Sequence, residues 1–339
     1  MKKLLSLILA LLLLVALPLL SACNKDETPD NGDQTPTPPA LDTNLEIRVW
    51  TLNGTTGFGM APLINSDKEG TAALNYTFTV ETAATNVRDA LINGTADIGA
   101  LPTNLASALY NSTNGEIVLL ALNTRGVLYL VSKTAVAPTS LADLSGKTVY
   151  VPAQNPTFIT KALIDKAQVA NVTLDNTTYA EPAALQAAVA QGLVDYAVLP
   201  EPMVTIAKSS AAEGVSLTVA LDLTAEWNKH FTEGSLVQGC VVARKAFVEA
   251  HPAEVAKFLE EYEDSLTYVV EHPEEASAMI VDAGIFAKAP VAKVAIPKCN
   301  LCFVTGEAMK TAMAEFLAAM PAASIGGKLP GDSFYYVSN

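Results

Sequence analysis

Two short segments of the sequence share one pattern, and this repeat restricts the fold more than any other feature. Gly94 to Pro102 reads GTADIGALP, and Gly192 to Pro200 reads GLVDYAVLP. In each, a glycine follows a helical stretch, an aspartate precedes a short apolar strand, and a proline stops that strand. In open α/β sheets, ligands bind beyond the carboxyl ends of the strands. The repeat therefore predicts two α/β lobes that face each other across a cleft, although ordinary β–α connections would produce the same pattern.

The residues before and after the first segment alternate between strand and helix patterns. Apolar and polar residues alternate over 46–50 and 75–81, which predicts two strands. Between the second strand and the first repeat, Val87, Leu91 and Ile92 are predicted to lie on one helical face. This succession indicates a parallel sheet with helices on its faces.

The rest of the chain adds a second α/β unit and a largely helical end. Strand and helix patterns start again after residue 140, and residues 237–242 resemble a strand that returns to the first unit. His251 and His272 each precede a proline, a residue that suits the first position of a helix. We therefore interpret both histidines as helix-start residues rather than as catalytic or metal-binding groups.

The net charge argues against two classes of partner. The 339 residues include 35 Asp and Glu against 21 Lys and Arg, which gives a formal net charge of −14. Nucleic acids and anionic lipid surfaces are bound through basic patches, so we expect neither as an electrostatic partner. Hydrophobic residues make up 50% of the chain, which is enough to bury the core of about two domains.

The first 22 residues have the composition of a secretory signal peptide. Lys2 and Lys3 precede a run of Leu, Ile, Val and Ala over 4–20. Residues 20–23, with the sequence LSAC, resemble a bacterial lipobox, in which cleavage before the cysteine leaves a thiol that carries lipid. Cys23 is thus the predicted lipidation site, and the chain is predicted to be anchored to a membrane rather than to span it. An uncleaved anchor helix is the alternative.

Residues 23–44 are predicted to be the lipidated cysteine followed by a disordered acidic tether. Asp, Glu, Thr, Pro, Asn and Gly dominate the segment after Cys23, which has almost no large apolar side chain. Such a composition cannot bury enough surface to offset the entropy of ordering. We therefore expect a folded body that begins near Leu45 and hangs from a membrane surface.

Three motifs of this body carry a resemblance to a known family. They read GTADIG (94–99), LADLSGKTVYVP (141–152) and DYAVLPEP (195–202). Together with the lipobox and the acidic tether, they resemble solute-binding proteins of ABC importers, in particular the nitrate/sulfonate/thiamine-precursor (SsuA/THI5-like) group. The resemblance implies a monomeric protein that is not an enzyme. It would capture a small polar organic solute on the extracytoplasmic face of the bacterial membrane and deliver it to the permease and ATPase subunits.

The resemblance also implies the architecture. It is a type II periplasmic-binding-protein fold of the α/β class, with two α/β lobes joined by two crossover strands. We predict that residues 45–128 and 237–339 form lobe 1 and that residues 129–236 form lobe 2. Capture of a solute by such lobes is a hinge closure.

The family places ligand contacts at loops that can be located here. In lobe 1 they are a glycine-rich turn over 53–59, the segment after Pro102 and the region of the two crossovers. Glycines let backbone N–H groups approach a ligand, and a helix start favours an anion. Thr103 suits an N-cap as well as a ligand hydroxyl, and Arg125 suits an internal salt bridge as well as a carboxylate or sulfonate. The residues predicted to bind ligand in lobe 1 are Asn53, Thr55, Thr56, Gly57, Thr103, Asn104, Asn123, Arg125 and Gln238.

Lobe 2 is predicted to contribute uncharged polar groups and one acid. Gln154, Asn155 and Thr157 stand at the start of a predicted helix and are suited to orienting a polar ligand, with helix capping as the alternative. Glu201 occupies the family's rim motif and is expected to contact a cationic group of the ligand or the permease. These residues do not distinguish a sulfonate from a pyrimidine, a flavin or another polar compound.

Three cysteines remain in the folded body, namely Cys240, Cys299 and Cys302. The last two form a C-x-x-C pair, for which buried free thiols and a labile disulfide are both open. The sequence has no metal-ligand cluster and no cofactor loop, so neither a metal nor a cofactor is expected. Two other functions stay open: a module that presents its ligand-bound form to a sensory receptor, and an extracytoplasmic enzyme that uses Glu201, Asp195 or Cys302.

Overall fold

The computed structural model describes residues 41–133 and 137–337. The predicted signal peptide, the predicted lipidation site Cys23 and nearly all of the predicted tether lie outside these residues. No helix in the described part of the chain has the length and apolar character needed to cross a membrane.

Eleven β-strands form two sheets in the described residues. The strands are β1 (Glu46–Leu52), β2 (Asn75–Glu81), β3 (Ile98–Pro102), β4 (Ile117–Arg125), β5 (Leu128–Ser132), β6 (Thr148–Tyr150), β7 (Thr173–Asp175), β8 (Tyr196–Pro200), β9 (Thr218–Asp222), β10 (Val237–Arg244) and β11 (Leu301–Val304). The first sheet has the strand order β11-β4-β10-β3-β1-β2, and the second has the order β7-β6-β8-β5-β9.

Thirteen α-helices accompany these strands in the described residues. They are α1 (Thr55–Phe58), α2 (Ala61–Lys68), α3 (Ala84–Asn93), α4 (Thr103–Ser112), α5 (Asn155–Lys166), α6 (Pro182–Ala190), α7 (Met203–Ser209), α8 (Leu223–His230), α9 (Lys245–Ala250), α10 (Pro252–Glu271), α11 (Pro273–Asp282), α12 (Ala289–Ala295) and α13 (Gly306–Ala318). Short 3₁₀ helices cover Leu141–Leu144, Ile296–Lys298, Ala322–Ile325 and Asp332–Phe334.

The strands β1, β2 and β3 are parallel, as the sequence pattern predicted, but each complete sheet is mixed. β1 runs parallel to β2 and β3, whereas β10 runs antiparallel to β3 and β4. In the second sheet β6 runs parallel to β7 and β8, whereas β5 runs antiparallel to β8 and β9. β5 and β10 are the strands that the chain enters directly from the other sheet. Each therefore starts at the edge where its neighbours end, and residue periodicity carries no information about this direction.

This arrangement brings one edge of each sheet together. Only Gly126 and Val127 separate β4 from β5, and the backbone N–H of Glu201, just after β8, donates to the carbonyl of Val127 at 2.9 Å. The loops that follow β1, β3 and β4 therefore lie opposite the loops that follow β6 and β8. These are the carboxyl ends of the strands, where α/β sheets bind ligands.

Several local predictions are confirmed and one is wrong. The strands over 46–52 and 75–81 form, the segment 237–244 returns to the first sheet, and His251 and His272 are the N-cap residues of α10 and α11. Ile92, however, is 56% exposed and does not share the buried face of α3. Because each helical residue advances by about 100°, Ile92 lies well away from the preceding buried positions.

The hydrophobic core covers both faces of the first sheet and continues into the second. On one face, Val49 of β1 packs with Phe58 of α1 and Phe258 of α10. On the other face, Trp227 of α8 is fully buried, and its ring lies 6.0 Å from that of Phe316 of α13. Replacing a buried aromatic residue by alanine lowers the free energy of unfolding by about 3–5 kcal/mol. The packing of α8 on α13 therefore contributes to holding the two sheets together.

The aspartate of the first repeat segment is buried and pairs with two partly exposed arginines. Asp97 is 3% exposed and lies 2.6 Å from Nη2 of both Arg48 and Arg244. Burial raises the pKa of Asp97, but hydrogen bonds from the two arginines outweigh it, so the pKa lies below its ordinary value. Asp97 thus ties β1, β3 and β10 together. Its counterpart in the second repeat, Asp195, has a 60% exposed side chain and pairs with Lys133 at 3.3 Å.

We expect Asp97→Asn to lower the free energy of unfolding by about 2 kcal/mol at neutral pH, because it removes charged hydrogen bonds from both arginines. Since the pKa of Asp97 is lower in the folded than in the unfolded state, its contribution is present above the unfolded value, near pH 4, and is lost as the pH falls through the folded value. The difference in free energy of unfolding between Asp97→Asn and wild type should thus become smaller as the pH is lowered. Urea unfolding at several pH values measures this.

The matched control for this variant is Asp195→Asn, which removes an exposed ion pair. It should change the free energy of unfolding by less than about 0.5 kcal/mol. If the difference in free energy of unfolding between Asp97→Asn and wild type stays constant well below about pH 4, the assigned role of the carboxylate is contradicted.

Candidate functional site

Two of the predicted ligand-binding residues meet across the facing edges of the sheets. Asn155, the first residue of α5, donates from Nδ2 to Oδ1 of Asn104, the second residue of α4, at 2.7 Å. The two helices pack on different sheets. Oδ1 of Asn155 is buried and has no hydrogen-bond partner in the described residues. The contact thus joins the two halves of the body and leaves an unused acceptor between them.

The loop after β1 combines exposed polar side chains with a tightly packed backbone. Asn53 is exposed, and Thr55 and Thr56 are half-buried in α1, a short helix within the predicted glycine-rich turn. Gly54 has a φ of 79°, which favours glycine. A Cβ on Gly57 would lie 1.8 Å from the carbonyl oxygen of Leu52. Close packing of α1 on β1 therefore explains Gly57 without a ligand.

Asn123 holds the loop after β1 in place. Its side chain is buried, and Nδ2 donates to the carbonyl of Thr56 at 3.1 Å and to the hydroxyl of Tyr262 at 3.0 Å. Its Oδ1 accepts from the hydroxyl of Thr124 at 3.0 Å. Both ends of the amide are thus used within the protein, and Asn123 acts as a positioning residue for α1.

Three further predicted residues bind the main chain. Thr103 is fully buried and donates to the carbonyl of Val237 at 2.8 Å, and it is the first residue of α4 rather than its N-cap. Thr157 donates to the carbonyl of Pro152 at 2.7 Å, and Oε1 of Gln238 accepts from the N–H of Val127 at 2.8 Å.

The last residue before α5 differs from these three. Gln154 is exposed, has a φ of 67° and forms no side-chain capping bond. Among the predicted residues at the start of α5, Gln154 and Asn155 therefore have polar atoms that the protein does not use.

Glu201 forms a second contact between the sheets. It is 2% exposed, and its carboxylate accepts from the N–H of Thr205 at 3.1 Å and from its hydroxyl at 3.0 Å. Nζ of Lys298, just before β11, lies 3.8 Å from Oε1, and the hydroxyl of Tyr129 donates to the carbonyl of Lys298 at 2.7 Å. Burial raises the pKa of Glu201, partly offset by Thr205 and Lys298. The carboxylate is thus directed into the protein.

Arg125 lies apart from the other predicted residues. It ends β4, and Nη1 donates to the carbonyl of Gly234. It borders a cavity of about 650 Å³ between α8 and α13, and none of the other predicted ligand-binding residues lines that cavity.

The residues of the enzyme alternative do not form one site. Asp195 and Glu201 flank β8 at opposite ends, and its five residues span roughly 17 Å. Cys240, Cys299 and Cys302 are free thiols, and burial raises the pKa of Cys302 to about 11 and that of Cys299 well above its ordinary value. In residues 41–133 and 137–337, no group of three or more His, Cys, Asp or Glu side chains is placed to hold a metal ion.

Sequence reasoning missed three residues that organise these contacts. Tyr262 supports Asn123, and Thr205 and Lys298 hold Glu201. Thr205 follows Glu201 by one helical turn, a spacing that indicates such a contact. In the sequence, Tyr262 is only one of the apolar positions of α10, so its hydrogen bond to Asn123 could not be predicted. The residues around Lys298 likewise give no sign that it lies near Glu201.

We expect Thr103→Val to lower the free energy of unfolding by about 1–2 kcal/mol, because the substitution keeps the shape but leaves the buried carbonyl of Val237 without its donor. Urea unfolding measures the change. Thr77→Val is the control, since the Thr77 hydroxyl bonds to Glu46 on the exposed surface, and we expect a change below about 0.5 kcal/mol. Equal stability of Thr103→Val and wild type would contradict the structural role assigned to this hydroxyl.

Comparisons with known proteins agree with this architecture. The model of the NMT1/THI5-like family matches residues 71–276. A solved ABC transporter structure from Parabacteroides distasonis is 23% identical, with a TM-score of 0.74, and the match covers 88% of this chain and 100% of that one. No curated protein sequence matches the chain significantly.

Two sulfonate-binding proteins have the same fold. The periplasmic aliphatic sulphonate binding protein SsuA of Escherichia coli is 14% identical, with a TM-score of 0.70 and coverage of 87% of this chain and 92% of that one. The sulfonate-binding SsuA protein of Methylobacillus flagellatus is also 14% identical, with a TM-score of 0.63 and coverage of 85% and 88%. The likeness is one of fold, namely the two-lobed type II periplasmic-binding-protein fold that the sequence motifs predicted.

Proposed function

The chain belongs to the NMT1/THI5-like family, and from this premise we propose that it is an extracytoplasmic solute-binding lipoprotein of an ABC importer. It captures a small polar organic solute between lobe 1 (45–128 and 237–339) and lobe 2 (129–236) and delivers it to a permease. Homology to ABC transporter periplasmic binding proteins supports solute binding for import. The two sheets, joined by the short connection between β4 and β5, support the division into lobes.

The observation that carries the proposal is the bond between Asn155 and Asn104. It joins the ends of α4 and α5, so the lobes must separate there before a solute can enter. The neighbouring Oδ1 of Asn155 is a buried acceptor without a partner, and such an atom costs about 1–3 kcal/mol. A solute N–H or O–H that reaches this atom would remove that cost. We call the space between the loops after β1, β3 and β6 the solute cleft.

The groups around the solute cleft favour recognition by hydrogen bonds rather than by charge. Asn53, Thr55, Asn104, Gln154 and Asn155 supply amides and hydroxyls, all uncharged. Glu201 is engaged inside the protein, and Arg125 faces another cavity. We therefore expect a polar organic molecule with several donors and acceptors, and sulfonates enter the test because related folds bind them.

Ligand stabilisation of the purified full-length protein, in detergent, tests the solute cleft. We expect one member of a panel of sulfonates, pyrimidines, flavins and amino-acid derivatives to stabilise the protein by about 2.7 kcal/mol at a hundredfold excess over Kd. Asn104→Ala and Asn155→Ala should each raise Kd about tenfold, a loss of about 1.4 kcal/mol. Calorimetric titration with the stabilising compound measures Kd.

Asn75→Ala is the matched control, because Asn75 is exposed and begins β2, at the opposite end of the strand from the loops that form the solute cleft. It should leave Kd unchanged. Unchanged binding in both cleft variants would exclude this cleft as the site. Recovery of the compound in chemically altered form would favour the enzyme alternative over a binding protein.

Lipidation at Cys23 is a separate part of the proposal, supported by the LSAC motif at residues 20–23. We expect Cys23→Ser to move the protein from the membrane fraction toward the soluble fraction, because the thiol that carries the lipid is lost. Immunoblots of both fractions measure this. Cys302→Ser, in the folded body, is the control and should stay with the membrane. Full retention of Cys23→Ser in the membrane would support an uncleaved anchor helix.

A further inference from the structure

The carboxylate of Glu201 lies where the two halves of the body touch. Glu201 directly follows β8 of the second sheet, whereas Lys298 ends the 3₁₀ helix that precedes β11 of the first sheet. The hydroxyl of Tyr129 in β5 donates to the carbonyl of Lys298 at 2.7 Å, and α7, which begins just after Glu201, packs against α12. Residues that belong to both proposed lobes therefore surround this carboxylate.

The charge of Glu201 is buried with incomplete compensation. The residue is 2% exposed, and both of its hydrogen bonds come from Thr205, from the N–H at 3.1 Å and from the hydroxyl at 3.0 Å. Nζ of Lys298 lies 3.8 Å from Oε1, which is beyond hydrogen-bond distance, and the Lys298 side chain is 46% exposed. An ionised carboxylate is costly to remove from water unless a close, hydrogen-bonded cation offsets that cost.

The surrounding groups leave part of this cost in place. Burial raises the pKa of Glu201, and the hydrogen bonds from Thr205 lower it only in part. Burial also raises the pKa of Tyr129 and that of Cys299 above their ordinary values, so both groups are uncharged at neutral pH and below. The titratable groups that face the carboxylate are Tyr129 of β5, Lys208 of α7, and Lys298 and Cys299 before β11.

The elements packed against α7 bring no other charge to this contact among the described residues. α6 contains no titratable side chain, and Lys293 of α12 forms an ion pair with Glu274 of α11 at 2.6 Å. β8 carries one titratable residue, Tyr196, at the opposite end of the strand from Glu201. Ionisation of Glu201 is therefore the change of charge that the contact between the lobes has to accommodate.

We propose that protonation of Glu201 controls closure of the lobes and that the protonated carboxyl favours the closed arrangement. Separation of the lobes moves Lys298 and Cys299 away from Glu201 and lets water reach the carboxylate. The open form then holds the ionised carboxylate at lower cost, and the closed form binds the proton more tightly. Lowering the pH therefore shifts the lobes toward closure. This inference rests on the proposed closure of two lobes but not on the identity of the solute.

Pulsed electron paramagnetic resonance measures the separation of the lobes in the purified full-length protein, in detergent and without solute. Spin labels on Ser112→Cys, at the end of α4, and on Ala170→Cys, after α5, occupy exposed positions in different lobes. The same protein without these two cysteines measures the background from native thiols. We expect the ratio of closed to open molecules to rise about threefold or more between about pH 7.5 and about pH 5.

Two variants assign this response to the contact. Glu201→Gln keeps the size of the side chain and its bonds to Thr205 but cannot ionise, so its ratio should be high at both pH values. Lys298→Gln removes the cation that partly offsets the charge, so its ratio should fall at the higher pH and its response to pH should grow. Because the Lys298 side chain is half exposed, this variant tests the proposal even if Glu201→Gln fails to fold.

Glu213→Gln is the matched control, because it removes an exposed carboxylate of lobe 2, and it should respond to pH like wild type. Histidines also titrate in this range, so a full response in Glu201→Gln overturns the proposal, as does opening in acid. A distance that changes with the stabilising compound of the solute panel but not with pH overturns only the role of Glu201. A distance that changes with neither overturns the closure on which the proposed function also rests.

Discussion

The connection between β4 and β5 is the constraint on which the rest of the structure depends. A Cβ on Gly126 would lie 2.3 Å from the hydroxyl of Thr224, so only glycine fits this closely packed position. The Gly126 carbonyl accepts from that hydroxyl at 3.0 Å and from Nδ2 of Asn300, and Val127 bonds to the backbone N–H that follows β8 and to the side chain of Gln238. Two residues thus bind segments from both sheets. They set the distance at which the sheet edges face each other.

The features that we connect with function lie on different sides of this link. The side chains of Asn104 and Asn155 bond to each other across the solute cleft. The carboxylate of Glu201 and the ammonium group of Lys298 form a further contact between the sheets. Arg125 directly precedes Gly126 and borders the cavity between α8 and α13. The Asn104–Asn155 and Glu201–Lys298 contacts each join residues that pack on different sheets, so both depend on how the sheets are placed.

Local pattern was a reliable guide to the elements and a weaker guide to the site. Alternation located β1 and β2, and two of the predicted ligand contacts, Asn104 and Asn155, bond to each other between the sheets. Residue type did not tell which polar side chains remain available. Asn123 and Thr103 have the chemistry of ligand contacts, yet the protein uses them to hold α1 and α4. Their partners are distant in sequence, so no local spacing could indicate them.

The sequence by itself determined the α/β class, most of the elements and the family, because hydrophobic periodicity and short motifs are local properties. Tertiary structure alone decided the mixed direction of the sheets and the partners that the candidate side chains have within the protein. Asp97 shows the difference. Its position before β3 can be seen in the repeat, but its ion pairs with Arg48 and Arg244 form only when three strands come together. Arg125 has no carboxylate partner among the described residues, and this too could not be read from its neighbours in the sequence. Which charges meet depends on long-range packing, and the chain order does not encode that in any short segment.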